Sequence, residues 1–307
     1  MALAARIRQH GARVAVRSFS ALSQQYREDG YLVIPNVVSK AERNVLLDEI
    51  VAVAKGSRGD VKGLVAASQQ SSDEDIIRKY LAFHHPHKLS ELLLETGVKH
   101  PEIVKILREI VSPNVKCMQS MFFVKAPGKP GQAWHQDEIY IPTRDRSLIG
   151  AWIALDDATI ENGCLWIHPG SHKAGVLYPM SPHADPRFDP TGMLHSFPYD
   201  GEGGVPVECP AGSVVFFNGY VVHRSLPNKT DGFRRAYVMH YMSAESLLPW
   251  DCDGTIPATS DNRDVILVAG TDPHAHKGYE TGNTFPFVRP DTGPSSGKGA
   301  SFGLEKE

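Results

Sequence analysis

The chain is poor in cysteine, in long apolar runs and in charge of one sign. Its four cysteines, Cys117, Cys164, Cys209 and Cys252, are widely spaced and form no C-x-x-C pair, which excludes a zinc knuckle and a thioredoxin-type redox motif. No unbroken apolar run approaches the ~18–20 residues needed to cross a bilayer, so no membrane span is expected. The formal charge of −3 on 307 residues, without a block of like charges, gives no field that would gather a phosphate backbone, and no nucleic-acid partner is expected. Acid is absent from the first 27 residues, which carry Arg6, Arg8, Arg13, Arg17 and Arg27 among serines and small apolar residues. That composition is a transit peptide's and predicts a mitochondrial leader over residues 1–25, with the cytoplasm as the alternative location. Asn228-Lys229-Thr230 matches a glycosylation sequon, but no secretory signal precedes it.

What remains, 41% hydrophobic residues and 22% charged, is enough for one substantial core. The domain is expected over residues 26–290, followed by a tail, 291–307, of disordered composition. A short strand is expected at 31–34. A helix follows, announced by the S-x-x-E capping box of Ser39 and Glu42 and by Leu46, Leu47, Ile50 and Val53 at helical spacing. Further helices are predicted at Asp73–Phe83 and Pro101–Val111. From Val115 the pattern turns to short strands rich in β-branched and aromatic residues: Val115–Ala126, Leu148–Leu155, Gly163–Ile167, Ser213–Phe217, Tyr220–His223 and Arg235–Met242. A mainly β protein with flanking helices, a sandwich or barrel, is the expected fold class. The stretch Tyr178–Gly204 is too long and irregular for a hairpin loop and is expected to form a functional lid.

Three H-x-[DE] triplets occur, where 14 histidines and 35 acids lead chance to provide about one or two. His100-Pro101-Glu102 straddles a helix start, and His183-Ala184-Asp185 lies in a proline-flanked loop, so both read as structural. His135-Gln136-Asp137 follows a turn-rich approach. If it lies on a strand, residues i and i+2 share a face and both functional groups point inward. Far along the chain, His223 closes one apolar run and Arg234 opens the next across a turn, which reads as a hairpin. Two imidazoles and one carboxylate suit a non-haem iron site with open positions, and Arg234 suits the bidentate grip of a carboxylate, assisted by Ser225 on the face of His223. Arg235 competes with Arg234, because neighbouring strand residues face opposite ways.

These residues, with the stretch from Gly150-Ala151-Trp152 to Pro169-Gly170-Ser171-His172, resemble the phytanoyl-CoA dioxygenase family, especially its domain-containing branch. The resemblance covers about residues 26–242. It implies a double-stranded β-helix (jelly roll, cupin-like) and iron(II) held by His135, Asp137 and His223. It also implies 2-oxoglutarate as cosubstrate, O2 as oxidant and ascorbate as a supporting reductant. Arg234 and Ser225 match the family's grip on the 2-oxoglutarate carboxylate, and Trp152, Met121 and Lys88 match further cosubstrate contacts. Asp137 is intact where related halogenases carry a small residue, which favours hydroxylation, with release of succinate and CO2. The expected partner is a small-molecule substrate, an acyl-CoA or another lipid or secondary metabolite, handled by a monomer or weak homo-oligomer. A metal-dependent hydrolase or isomerase on the same barrel, and a non-catalytic 2-oxoglutarate sensor, stand as alternatives.

Overall fold

A computed structural model of the chain describes residues 19–65, 71–248, 265–277 and 285–291. The amino-terminal leader up to residue 18, Cys252 and the tail beyond Asp291 lie outside the described residues. Helix α1, Phe19–Asp29, already belongs to the folded body, since Leu22 packs on the core, Tyr26 is buried and Ser23 Oγ donates to Glu109 O. Residues ahead of Tyr26 thus already pack on the folded body.

Strand β1, Tyr31–Ile34, leads to α2, Lys40–Ala54, whose start is the expected capping box: the Ser39 N–H donates to Glu42 Oε2 and the Glu42 N–H donates to Ser39 Oγ. Leu46, Ile50 and Val53 line its buried face, each worth about 1.5–3 kcal/mol when fully withdrawn from water. The helix expected over residues 73–83 is cut short. Only α3, Asp73–Ile77, is helical, and Tyr80–His84 is strand β2. Tertiary pairing overrides local propensity there, because β2 hydrogen-bonds to β3, Val115–Lys125, on one side and to the distant β14, Phe287–Pro290, on the other. The expected helix at residue 101 is α4, Pro101–Ile110, with Pro101 in its first turn.

The strands form two principal sheets. The larger runs β1-β10-β5-β12-β3-β2-β14, where β5 is Ile149–Ala154, β10 is Val214–Asn218 and β12 is Arg234–Ser243. Strand β13, Ile266–Ala269, pairs with β3 beside this path. The smaller sheet runs β4-β11-β6-β9, with β4 Gln132–His135, β6 Leu165–Ile167, β9 Val205–Val207 and β11 His223–Ser225. Every ladder within the two is antiparallel, and two such facing sheets are the jelly roll expected from the sequence.

The period-2 alternation of β12 divides the molecule. Tyr237, Met239 and Tyr241 join α2 and α4 in the main core, whereas Ala236 and Val238 face the interior between the sheets. The turn between His223 and Arg234 does not close a hairpin: β11 belongs to the small sheet and β12 to the large one, so the chain crosses between layers. Asn228 organises that crossing, donating from Nδ2 to Lys125 O and Gly232 O and accepting from Thr230. It is 1% exposed, which hides the sequon from glycosylation in the folded protein.

Candidate metal centre and its cavity

A cleft of about 990 Å³ of empty space, counting the part that opens to solvent, lies between the sheets. His135, Asp137, His223, Arg234, Ser225, Trp152 and Met121 all line it; Lys88 does not. Lys88 ends the short 3-10 turn Pro86–Lys88 that follows β2, and it is His84, on β2 itself, that reaches the cleft.

His135 ends β4 and His223 opens β11, and the two are register partners across an antiparallel ladder. Each ring donates its Nδ1–H to a backbone carbonyl two residues back, His135 to Ala133 O at 2.7 Å and His223 to Val221 O at 3.0 Å. Such a bond fixes the tautomer and leaves each Nε2 a lone pair. Both Nε2 atoms lie 3.6 Å from Asp137 Oδ1, and the three ligand atoms fall within 4.8 Å of one another. Asp137 is not on the strand: it opens a 3-10 turn, Asp137–Ile139, after an extended Gln136. The extended Gln136 preserves the shared face of His135 and Asp137 and sends its own side chain the other way. There it donates to Val176 O and Tyr220 O and accepts from the Tyr178 N–H, pinning the start of the 178–204 loop.

Burial, reinforced by His223, pushes the His135 imidazole down to about 4. Burial alone would raise the Asp137 carboxyl, but the flanking His223, His240 and His135 hold it below the ordinary carboxylate range. The set therefore offers a carboxylate and two imidazoles whose Nε2 atoms converge on it, which is the donor chemistry a divalent transition metal requires. Neither of the other two H-x-[DE] triplets joins such a group among the described residues.

The second carboxylate oxygen has its own partner. His240 Nε2 lies 2.8 Å from Asp137 Oδ2, and Gln119 Nε2 lies 3.1 Å from His240 Nδ1. An amide nitrogen only donates, so His240 Nδ1 accepts and its Nε2–H donates to Asp137. Oδ1 alone then faces the imidazoles. Neither residue was singled out from the sequence, yet the signal was present: Arg234, Val238 and His240 recur at even spacing along one strand.

The opposite end of the cleft is cationic. Arg234 is 4% exposed, its Cζ lies 5.5 Å from the Trp152 ring, and its Nε has no hydrogen-bond partner. Burial lowers its pKa to about 10. Arg235 faces the other way and is held by Asp156 through NH2 and Nε at 2.7 and 2.8 Å, so Arg234 is the arginine turned toward the cavity. Met121, Val238 and Trp152 form one cross-strand row over β3, β12 and β5 between the two ends. Lys125, the register partner of Arg234, is buried as well; its Nζ donates to Ser225 Oγ at 2.8 Å and Leu226 O at 2.6 Å. Burial, then Arg234, holds this lysine well below its usual range. Two glycines permit the close packing: a Cβ on Gly131 would meet Ser225 O at 2.0 Å, and one on Gly163, at φ +83°, would meet Leu226 O at 2.3 Å and Lys125 Nζ at 2.9 Å.

The 178–204 loop, with its two-stranded ribbon Met180–Ser181 and Met193–Leu194, packs at the cavity edge. His168 stacks between Trp134 and Tyr199, and Trp134 Nε1 and Arg224 both donate to Gly201 O. Arg289 of β14 pairs with Asp189 of the loop at 2.8 Å, joining the edge of the large sheet to the loop across the cavity wall. His172 is turn structure, in the 3-10 segment Ser171–Ala174.

The fold and the paired ends of this cavity define a jelly-roll protein with a two-histidine, one-carboxylate centre. The sequence profile of the phytanoyl-CoA dioxygenase (PhyH) family matches residues 26–236, and the chain belongs to that family. It is 33% identical over 174 residues to "Phytanoyl-CoA dioxygenase domain-containing protein 1" of Danio rerio, covering 56% of this chain and 60% of that one. It is 31% identical over 238 residues to human "Phytanoyl-CoA dioxygenase, peroxisomal", covering 72% and 67%. The chain thus spans only about 60% of the length of the zebrafish relative. Among solved structures, the non-heme monooxygenase ThoJ shares the fold at 22% identity, with a TM-score of 0.63 and 89% of each chain covered. The non-heme alpha ketoglutarate dependent carbocyclase SnoK superposes at 26% identity and a TM-score of 0.54, over 73% of this chain and 83% of its own.

Proposed function

We propose that this chain is an iron(II)- and 2-oxoglutarate-dependent dioxygenase that hydroxylates a small organic or acyl substrate with release of succinate and CO2. The observation that carries this reading is the pairing of two features in one cavity: a converging His135, Asp137 and His223, and a buried Arg234 whose Nε lacks a partner. Either alone has other uses. Together they fit a molecule that chelates a metal at one end and presents a carboxylate at the other, which is what a 2-keto dicarboxylate does.

Iron(II), when bound, would supply the activation of dioxygen, chemistry that side chains lack. The protein's part is position and exclusion. His135, His223 and Asp137 would hold the ion, with His240 keeping Asp137 Oδ2 occupied. Arg234 and Ser225 would hold the distal carboxylate, and the Met121, Val238 and Trp152 row would keep water from the space between. The cavity mouth, edged by the 178–204 loop and the Asp189–Arg289 pair, would receive the substrate. The domain is assigned to residues 26–290, with α1 extending it by a few residues, and the arginine-rich leader supports import into mitochondria. Two relatives, by contrast, carry the name peroxisomal.

Anaerobic reconstitution with iron(II), followed by admission of air, tests the reaction: succinate should appear from 2-oxoglutarate when a metabolite pool containing the substrate is added, and a product gaining one oxygen atom should be absent with Asp137→Ala. Persistent binding of 2-oxoglutarate without turnover on any pool would overturn the hydroxylase reading.

A further inference from the structure

We infer that Lys125 is a positioning residue for the Arg234 end of the cavity: by donating to Ser225 Oγ it commits the Ser225 hydroxyl proton to a bound carboxylate beside Arg234. The inference rests on reading that end as the seat of the distal carboxylate of 2-oxoglutarate.

A serine hydroxyl offers two acceptor positions and one donor. Both acceptor positions of Ser225 are taken, by Lys125 Nζ at 2.8 Å and by the Gln132 N–H at 3.3 Å. What is left is the O–H, on a residue that lines the cavity together with Arg234. A hydroxyl free to rotate would have to be ordered on binding; this one is already assigned its role.

The charge balance of the site points the same way. Among the described residues, neither Lys125 nor Arg234 forms an ion pair, although both are nine-tenths or more buried. The acids nearby are engaged elsewhere, Asp156 with Arg235 and Asp189 with Arg289 and Thr191. An arginine buried without a counter-charge is costly, and a carboxylate bound beside Arg234 and Ser225 offsets that cost and favours the ammonium form of Lys125 behind Ser225. The second bond of Nζ, to Leu226 O at 2.6 Å, and the missing side chain of Gly163 hold the lysine in place. In the sequence Lys125 is marked only as a residue near the end of the predicted strand Val115–Ala126, four residues from Met121 on the same face.

The test is calorimetric titration of the full-length, manganese(II)-loaded protein under nitrogen. The probes are 2-oxoglutarate and 2-oxobutyrate, which keeps the keto acid and lacks the distal carboxylate. The wild type should prefer 2-oxoglutarate. Lys125→Met and Ser225→Ala should each weaken 2-oxoglutarate by about tenfold to hundredfold, the worth of a hydrogen bond to a charged group, and leave 2-oxobutyrate unchanged. The double variant should be no worse than the weaker single one, because one acts through the other. Equal weakening of both probes by Lys125→Met, unchanged 2-oxoglutarate binding, or multiplied losses in the double variant would each overturn the inference. Should Lys125→Met fail to fold, Ser225→Ala decides: selective loss of 2-oxoglutarate supports the assignment and a retained preference overturns it. A wild type with no preference removes the 2-oxoglutarate reading and this inference with it, whereas a preference that survives Lys125→Met removes the inference alone.

Discussion

Strand β12 presents two faces that are built by different rules. Toward the helices it shows Tyr237, Met239 and Tyr241, sealed in the main core, and even their polar atoms are satisfied locally: Tyr237 OH donates to Ser120 Oγ and Tyr241 OH to Val98 O. Toward the opposing sheet it shows Arg234, Val238 and His240, where Arg234 Nε is buried without a partner and His240 reaches across to a residue of the metal centre. One strand thus separates stability from chemistry residue by residue. Buried polar groups left incomplete on one face, beside a face where they are complete, mark where a ligand belongs.

This contrast makes substitutions separable. Met239→Ala, on the helix face and fully buried, should cost about 2–5 kcal/mol in chemical denaturation while the remaining folded protein keeps its affinity for 2-oxoglutarate. An equal loss of ligand affinity would break the separation. On the other face, Arg234→Ala should weaken 2-oxoglutarate about a hundredfold, read by calorimetry, with a small change in melting temperature. Arg235→Ala, one residue on, should leave affinity unchanged, because its guanidinium belongs to Asp156.

His240→Phe sharpens the picture at the metal end. It strips Asp137 Oδ2 of its donor and should weaken manganese(II) or iron(II) binding by about tenfold to hundredfold, measured by metal titration without turnover. Unaltered metal affinity would make His240 a packing residue.

The smallest expected effect is a pH dependence seated on the helix side. His87 Nδ1 lies 2.6 Å from Ser120 Oγ, and burial pushes the imidazole down to about 4. The unfolded chain therefore takes up this proton first as pH falls: the group's contribution is intact above about pH 6.5 and is lost progressively toward pH 4. At about pH 5.5 the loss attributable to His87 should be on the order of 1 kcal/mol, and His87→Gln should flatten the profile by that amount in denaturation at two pH values.

Much of this was legible in the sequence, and what was not has identifiable causes. The strand pattern alone reaches a mainly β sandwich or barrel, the jelly roll follows from the family resemblance, and the Ser39–Glu42 box sits where a local signal says it must. The choice between Arg234 and Arg235 could not be made, because strand alternation gives opposite faces without saying which is inside. The strand Tyr80–His84 looked helical because its partners, Phe122 and Val288, lie about 40 and 200 residues away, beyond any local pattern. The turn after His223 looked like a hairpin because a crossing between sheets and a return within one sheet use the same Pro, Asn and Gly residues. His240 and Lys125 lack a motif of their own, and only the register of β12 against β3 sets His240 beside the metal centre and Lys125 beside Arg234.

The central claim is that one molecule bridges those two ends. Anaerobic calorimetry of 2-oxoglutarate into metal-free and iron(II)-loaded protein tests it most directly, with Asp137→Ala and Arg234→Ala measured alongside. The account predicts that loading with iron(II) tightens binding, that Asp137→Ala abolishes the tightening, and that Arg234→Ala weakens what remains. Affinity indifferent to the metal and to both substitutions would contradict it.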